Sequence, residues 1–130
     1  MIVLDTHAWI WLLSDPSQLS KKALETVDDH EGAGQILISA MSVWELFFLV
    51  KKRRLALTVP PAAFLTATHG NRQMKIATVD DTIARRSVEL PDIHSDPADR
   101  LILSTAAELG CPIVSRDQRL SEYDLVPIIW

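Results

Sequence analysis

The chain has 130 residues, 48% hydrophobic and 23% charged, the size and make-up of one globular domain. That much apolar surface excludes a largely disordered chain, and no apolar run reaches the roughly 18 residues of a membrane span. One cysteine, Cys111, excludes an internal disulfide and a cysteine-built zinc site, and a net charge of −4 excludes nucleic-acid binding by bulk charge alone.

Met1 to Asp5 reads as a short buried strand, a continuous apolar run ended by a polar residue. Asp5 and His7 interrupt the apolar start, so it is expected to be neither a signal peptide nor an anchor, and a reducing cytoplasmic setting is expected. Thr6 is placed to cap a helix from His7 to about Leu13, which Asp15-Pro16 stops. Leu19, Ala23, Leu24 and Val27 have helical spacing between Ser17 and Glu31, before the break at Gly32-Ala33-Gly34. Ile36 to Ile38 is a second strand, and Ser39 caps a helix from Met41 to about Lys52. Pro60-Pro61 opens a helix to about His69, Lys75 to Val79 is a third strand, and Asp80 caps a helix to about Leu90. Asp96-Pro97 starts a further helix that ends at Gly110. Pro112 to Ser115 is a fourth strand, Asp117 begins a short turn or helix, and Leu125 to Ile129 is the last strand. Apolar strands alternating with helices predict one α/β domain over residues 1–130, with a parallel sheet of four to five strands flanked by helices on both faces.

Such sheets bind ligands outside the carboxyl ends of their strands, where the strand order reverses. Asp5 ends the first strand, Glu45 lies in the first two turns after the second, Asp99 is in the first turn of the helix before the fourth, and Asp117 follows the fourth. Four acids converging on one rim repel one another and need a cation. Oxygen donors without a Cys or His pair favour Mg²⁺ or Mn²⁺, and such ions serve phosphodiester hydrolysis.

Leu4-Asp5-Thr6, Ser39 to Glu45, His94 to Arg100 and Ser115-Arg116-Asp117 together resemble the PIN-domain family, and more narrowly its VapC-type toxins. The similarity runs over the whole chain with the acidic motifs in order. It implies a PIN-like fold and a Mg²⁺-dependent endoribonuclease cutting structured RNA such as tRNA or rRNA. It also implies a homodimer and a small VapB-like antitoxin that blocks the site and is the only link to operator DNA, with no membrane partner. By the same resemblance Asp5, Glu45 and Asp99 are the core metal ligands and Asp117 is the fourth acid. Thr6 and Ser115 border the site. Ala98 stands where the family more often has Phe.

Each of these residues also has a structural reading. Asp5 is a possible cap, Ser42-x-x-Glu45 fits a capping box, and Asp96 before Pro97 is a natural N-cap within reach of the site. Asp99 in a first turn complements the helix dipole, and Asp117 suits an N-cap. Arg100 and Arg116 suit either a phosphate or the neutralising of nearby acids. Lys51-Lys52-Arg53-Arg54 suits a helix C-terminus or an RNA backbone, whereas Arg85-Arg86 reads as a solvated face. His7 and His94 read as structural or supporting residues without a partner at ligand spacing. Trp9, Trp11, Phe47 and Phe48 read as core or dimer contacts, and Cys111 as a buried apolar residue. Two other functions remain open: a phosphotransferase with an aspartyl nucleophile, disfavoured by His7 two residues after Asp5, and a non-catalytic PIN-like module for RNA or protein binding.

Overall fold

Ile2, Val3 and Leu4 form β1 (Ile2–Leu4), and each is buried because the strand lies at the centre of the sheet. The computed structural model describes all 130 residues. Around β1 run β2 (Ile36–Ser39), β3 (Met74–Ala77), β4 (Ile113–Val114) and β5 (Ile128–Ile129), in the order β3-β2-β1-β4-β5. Every pairing is parallel, with Ile2 opposite Ile36 and Leu4 opposite Ile38. The predicted parallel α/β sheet of four to five strands is observed, with five.

The period of two along a strand decides which helices each side chain meets. Ile2, Leu4, Ile36 and Ile38 point into one core with α1 (Thr6–Ser14), α2 (Lys21–Asp28), α3 (Ala40–Lys51) and α4 (Ala62–Gly70). Val3, Leu37 and Ile113 point into the other, against α6 (Pro97–Leu109), on which α5 (Asp81–Glu89) packs. Trp9 is fully buried in the first core; its indole N–H donates to Thr68 Oγ1 at 2.9 Å and its ring meets Phe64 edge-on. Cys111 is buried in the second, as expected. No helix is long and apolar enough to cross a membrane.

Several local expectations are corrected. Asp5, not Thr6, caps α1: Asp5 Oδ1 accepts from Ala8 N at 2.8 Å, and Thr6 becomes the first helical residue. The single helix expected over 17–31 is a 3-10 turn at Pro16–Gln18 followed by α2, because Ser20 supplies a second cap to Ala23 N at 3.0 Å. Ser39 caps α3 as expected, accepting from Met41 N, so the alternative capping box Ser42-x-x-Glu45 does not form, and Ser42 Oγ is buried without a partner. Pro61 precedes α4 rather than lying within it. Asp80 and Asp96 cap α5 and α6, and Gly110 closes α6 at φ 64°, as their sequence contexts predict.

Candidate metal centre

Because β1 lies between β2 and β4, the turns that leave these three strands share one edge of the sheet. The strand order reverses at β1, with β2 and β3 added on one side and β4 and β5 on the other, and this is the switch point where such sheets form their clefts. A hydrogen-bonded relay fixes that edge. Ser115 Oγ donates to Asp5 Oδ2 and itself accepts from Asp117 N at 3.0 Å, tying the end of β1 to the end of β4. Asp5 thus spends one oxygen on the α1 cap and the other on Ser115.

The carboxyl groups feel one another. Burial raises Asp5 above its ordinary range, against the lowering effect of its Ser115 and Ala8 hydrogen bonds. Burial also raises Glu45, and the charges of Asp96 and Asp5 add to it. The buried Thr6 hydroxyl faces Glu45 and favours its charged form, without a hydrogen bond of full geometry. Asp99 is pushed up to about 7, first by burial and then by Asp96, Glu45, Asp5 and Asp117. Asp117 goes the other way. Arg119 donates to both its oxygens, at 2.9 and 2.8 Å, and holds it below the usual carboxylate range.

The tightest group includes a residue that the sequence reading set aside. His94, Asp99 and Asp117 each offer a donor atom within 4.8 Å of the others, while Asp5 and Glu45 lie outside that trio and couple to Asp99 by charge. His94 Nε2 is 2.9 Å from Asp99 Oδ2 and 3.5 Å from Asp117 Oδ2, yet lacks a well-directed hydrogen bond to either. Its Nδ1 accepts from Asp96 N, which leaves the ring proton on Nε2, aimed at the acids. No local spacing signals this placement, because His94 sits on a loop that tertiary contacts fold back over α6. Arg119 was also missed; its signal is the N-cap at Asp117, which brings the second residue of the following 3-10 turn, Gln118–Tyr123, against the cap.

The two arginines singled out from sequence lie elsewhere. Arg100 neither faces a phosphate site nor neutralises an acid. Its guanidinium donates to the carbonyls of Ser87, Leu90, Pro91 and His94, since that loop has no regular ladder to satisfy them. Arg116 is exposed, with no ion pair or side-chain hydrogen bond. Asp96 is the α6 cap, accepting from Ala98 N at 2.9 Å, and its charge reaches both Glu45 and Asp99.

The donor set fits a divalent cation. Its oxygens are hard donors, and burial, reinforced by their mutual charge, holds Asp5, Glu45 and Asp99 towards their protonated forms, a cost that a bound cation would offset.

Residues 2–126 match the PIN domain family. The chain belongs to that family. It is 32% identical over 125 residues to Ribonuclease VapC22 of Mycobacterium tuberculosis, an alignment covering 94% of this chain and 91% of that one, and it is of the VapC type. Two solved structures share its fold. One is VapBC2 from Rickettsia felis bound to a promoter DNA fragment, with TM-score 0.71, 17% identity and coverage of 98% of this chain and 97% of that one. The other is DNA-bound VapBC from Salmonella typhimurium, with TM-score 0.69, 18% identity and coverage of 98% and 95%.

Proposed function

We propose that this chain is the toxin of a toxin–antitoxin pair, a Mg²⁺-dependent endoribonuclease that cuts structured RNA such as tRNA or rRNA in the cytoplasm. Its partners are a small VapB-like antitoxin and a second copy of itself, and it meets operator DNA only through the antitoxin. The observation that carries the reading is the convergence of Asp99 with Asp117 and His94, whose donor atoms lie within 4.8 Å of one another, while Asp5, Glu45 and Asp96 are close enough to act on Asp99 by charge. A pure binding module has no use for such repulsion, whereas a cation site does.

Asp5, Glu45 and Asp99 would hold the ion, with Asp117 at its rim. A bound Mg²⁺ supplies an activated water and neutralises charge on the phosphate and leaving oxygen. The chain's own part is positional. Ser115 fixes Asp5, Asp96 anchors the helix that carries Asp99, and Thr6 biases Glu45 towards its charged form.

The deciding assay is cleavage of total bacterial RNA by purified, antitoxin-free protein in Mg²⁺, in Mn²⁺ and in chelator, beside Asp5→Asn. Discrete fragments that need the metal and vanish in the variant are expected, and mapping their ends identifies the RNA. Undiminished cleavage in chelator or by folded Asp5→Asn would overturn the reading.

A further inference from the structure

The basic run Lys51 to Arg54 has no role in the acidic site, yet the end of α3 aims part of it there. Arg53 adopts φ 56°, a left-handed conformation that glycine takes readily and a long side chain does not. The reversal is closed by Arg53 N to Val50 O at 3.1 Å and Arg54 N to Leu49 O at 2.9 Å. Beyond it, Arg54 lines a cavity of about 250 Å³ between α3 and the start of α6. Glu45, Asp96, Trp44, Phe48 and Ala98 also form its walls, so a proposed metal ligand is shared between cavity and site.

Three properties of this cavity point to one kind of occupant. It is smaller than the roughly 300–1,000 Å³ pockets of drug-sized ligands, which suits a fragment such as one nucleobase. Arg54 is the only cation in its wall, and its guanidinium makes no ion pair or hydrogen bond within the chain. Trp44 is 53% exposed although it is a large aromatic, and it stacks on Phe48 with ring centroids 4.8 Å apart and planes 12° from parallel. Lys51, Lys52 and Arg53 are exposed beside it, a local positive rim on a chain of net charge −4. Unpaired guanidinium, exposed ring face and basic rim are what single-stranded RNA requires: phosphates on cations and unstacked bases on aromatic side chains.

We propose that the cavity between α3 and α6 is a nucleotide subsite, in which Arg54 binds an RNA backbone phosphate and Trp44 stacks a base adjoining the bond cut at the acidic centre. This rests on the ribonuclease reading. Its small Ala98 wall leaves room for the base that a bulkier side chain there would fill.

The test is binding of a short unstructured adenine oligoribonucleotide, and of the same oligomer with abasic positions, to Asp5→Asn protein in Mg²⁺ by fluorescence anisotropy. Arg54→Gln is expected to weaken both oligomers and to lower the slope of log affinity against log salt by about 1. Trp44→Ala is expected to weaken the base-bearing oligomer about tenfold and the abasic one hardly at all. Both side chains are exposed, so both variants are expected to fold, checked by circular dichroism. If both variants bind RNA as the Asp5→Asn parent does, the subsite is overturned. If the parent itself does not bind the oligomer, the subsite is overturned, while the ribonuclease reading stands or falls separately on the total-RNA cleavage assay.

Discussion

His94 Nε2 lies 2.9 Å from Asp99 Oδ2, and the opposite ring nitrogen accepts from the backbone N–H of Asp96. The imidazole therefore presents its proton to the carboxyl group that the other acids most disfavour as an anion. Without a cation, Asp99 gains a proton in the folded state that it lacks when unfolded.

That proton sets the sign of a stability profile. In the unfolded chain Asp99 titrates near its ordinary 3.8, and in the folded chain near 7. Between those values the folded state binds more protons, so stability falls as pH rises through the window, and the loss is complete above about 7. The rise corresponds to at most about 4 kcal/mol, less for a side chain 23% exposed to water. Thermal melts in chelator are expected to drop from pH 5 to pH 8. Asp99→Asn is expected to be less steep and to melt higher than the parent at pH 8; Asp5 and Glu45, raised in the same direction, keep some slope. Identical slopes in parent and variant would refute the assignment.

A cation should reverse that loss. Binding to the anionic forms expels the proton from Asp99, so Mn²⁺ titrated calorimetrically at pH 6 is expected to release more protons than at pH 8. Buffers of different ionisation enthalpy measure that release. At about 100 times its dissociation constant, the ion is expected to add about 2.7 kcal/mol of stability. Asp5→Asn, whose amide still caps α1, is expected to keep the fold and lose most of this gain. Equal stabilisation of parent and variant would place the ion elsewhere.

Much of this architecture was legible in particular residues. The continuous apolar run Ile2-Val3-Leu4 means a strand buried on both faces in sequence and structure alike, and Asp96-Pro97 is a helix start in both. Strand order carries Asp5 and Asp117 to one edge, and the starts of α3 and α6 bring Glu45 and Asp99 within charge range of them. Asp5 and Thr6 are adjacent acceptors that suit the same cap, and only the geometry after β1 decides between them. His94 was illegible for a different reason. Its loop is held by Tyr123, whose hydroxyl accepts from His94 N at 2.8 Å, and by Arg100, whose partners are backbone carbonyls. Carbonyls have no residue code, so sequence left Arg100 looking like a free cation.

Arg100 accordingly has a structural consequence. Removing a guanidinium that serves several carbonyls of the 87–94 segment leaves those acceptors unpaired and the loop unheld. Arg100→Ala is expected to cost about 2–4 kcal/mol in urea unfolding, by the loss of charge-assisted hydrogen bonds. Arg100→Lys is expected to recover little, because an ammonium cannot span carbonyls arranged for a planar fork. A cost confined to RNA affinity, with stability unchanged, would instead return Arg100 to the substrate.

Arg119 bears on the metal rather than on the fold. Its guanidinium grips both oxygens of Asp117 at the rim of the acidic centre and is exposed on its outer side. An exposed pair of this kind contributes little to folding, so Arg119→Ala is expected to leave the melting temperature in chelator unchanged within error. Its effect is electrostatic: the positive group both neutralises Asp117 and opposes a second cation nearby. Once it is gone, Asp117 carries an unshared charge beside Asp99 and His94, and Mn²⁺ is expected to bind several-fold more tightly, as measured by electron paramagnetic resonance of the free ion. Asp117→Asn in the Arg119→Ala background is expected to cancel most of that gain, because the guanidinium acts mainly through its paired Asp117 and only secondarily by charge on Asp99. Weaker Mn²⁺ binding by Arg119→Ala would mean that Arg119 orients Asp117 towards the ion instead of competing with it.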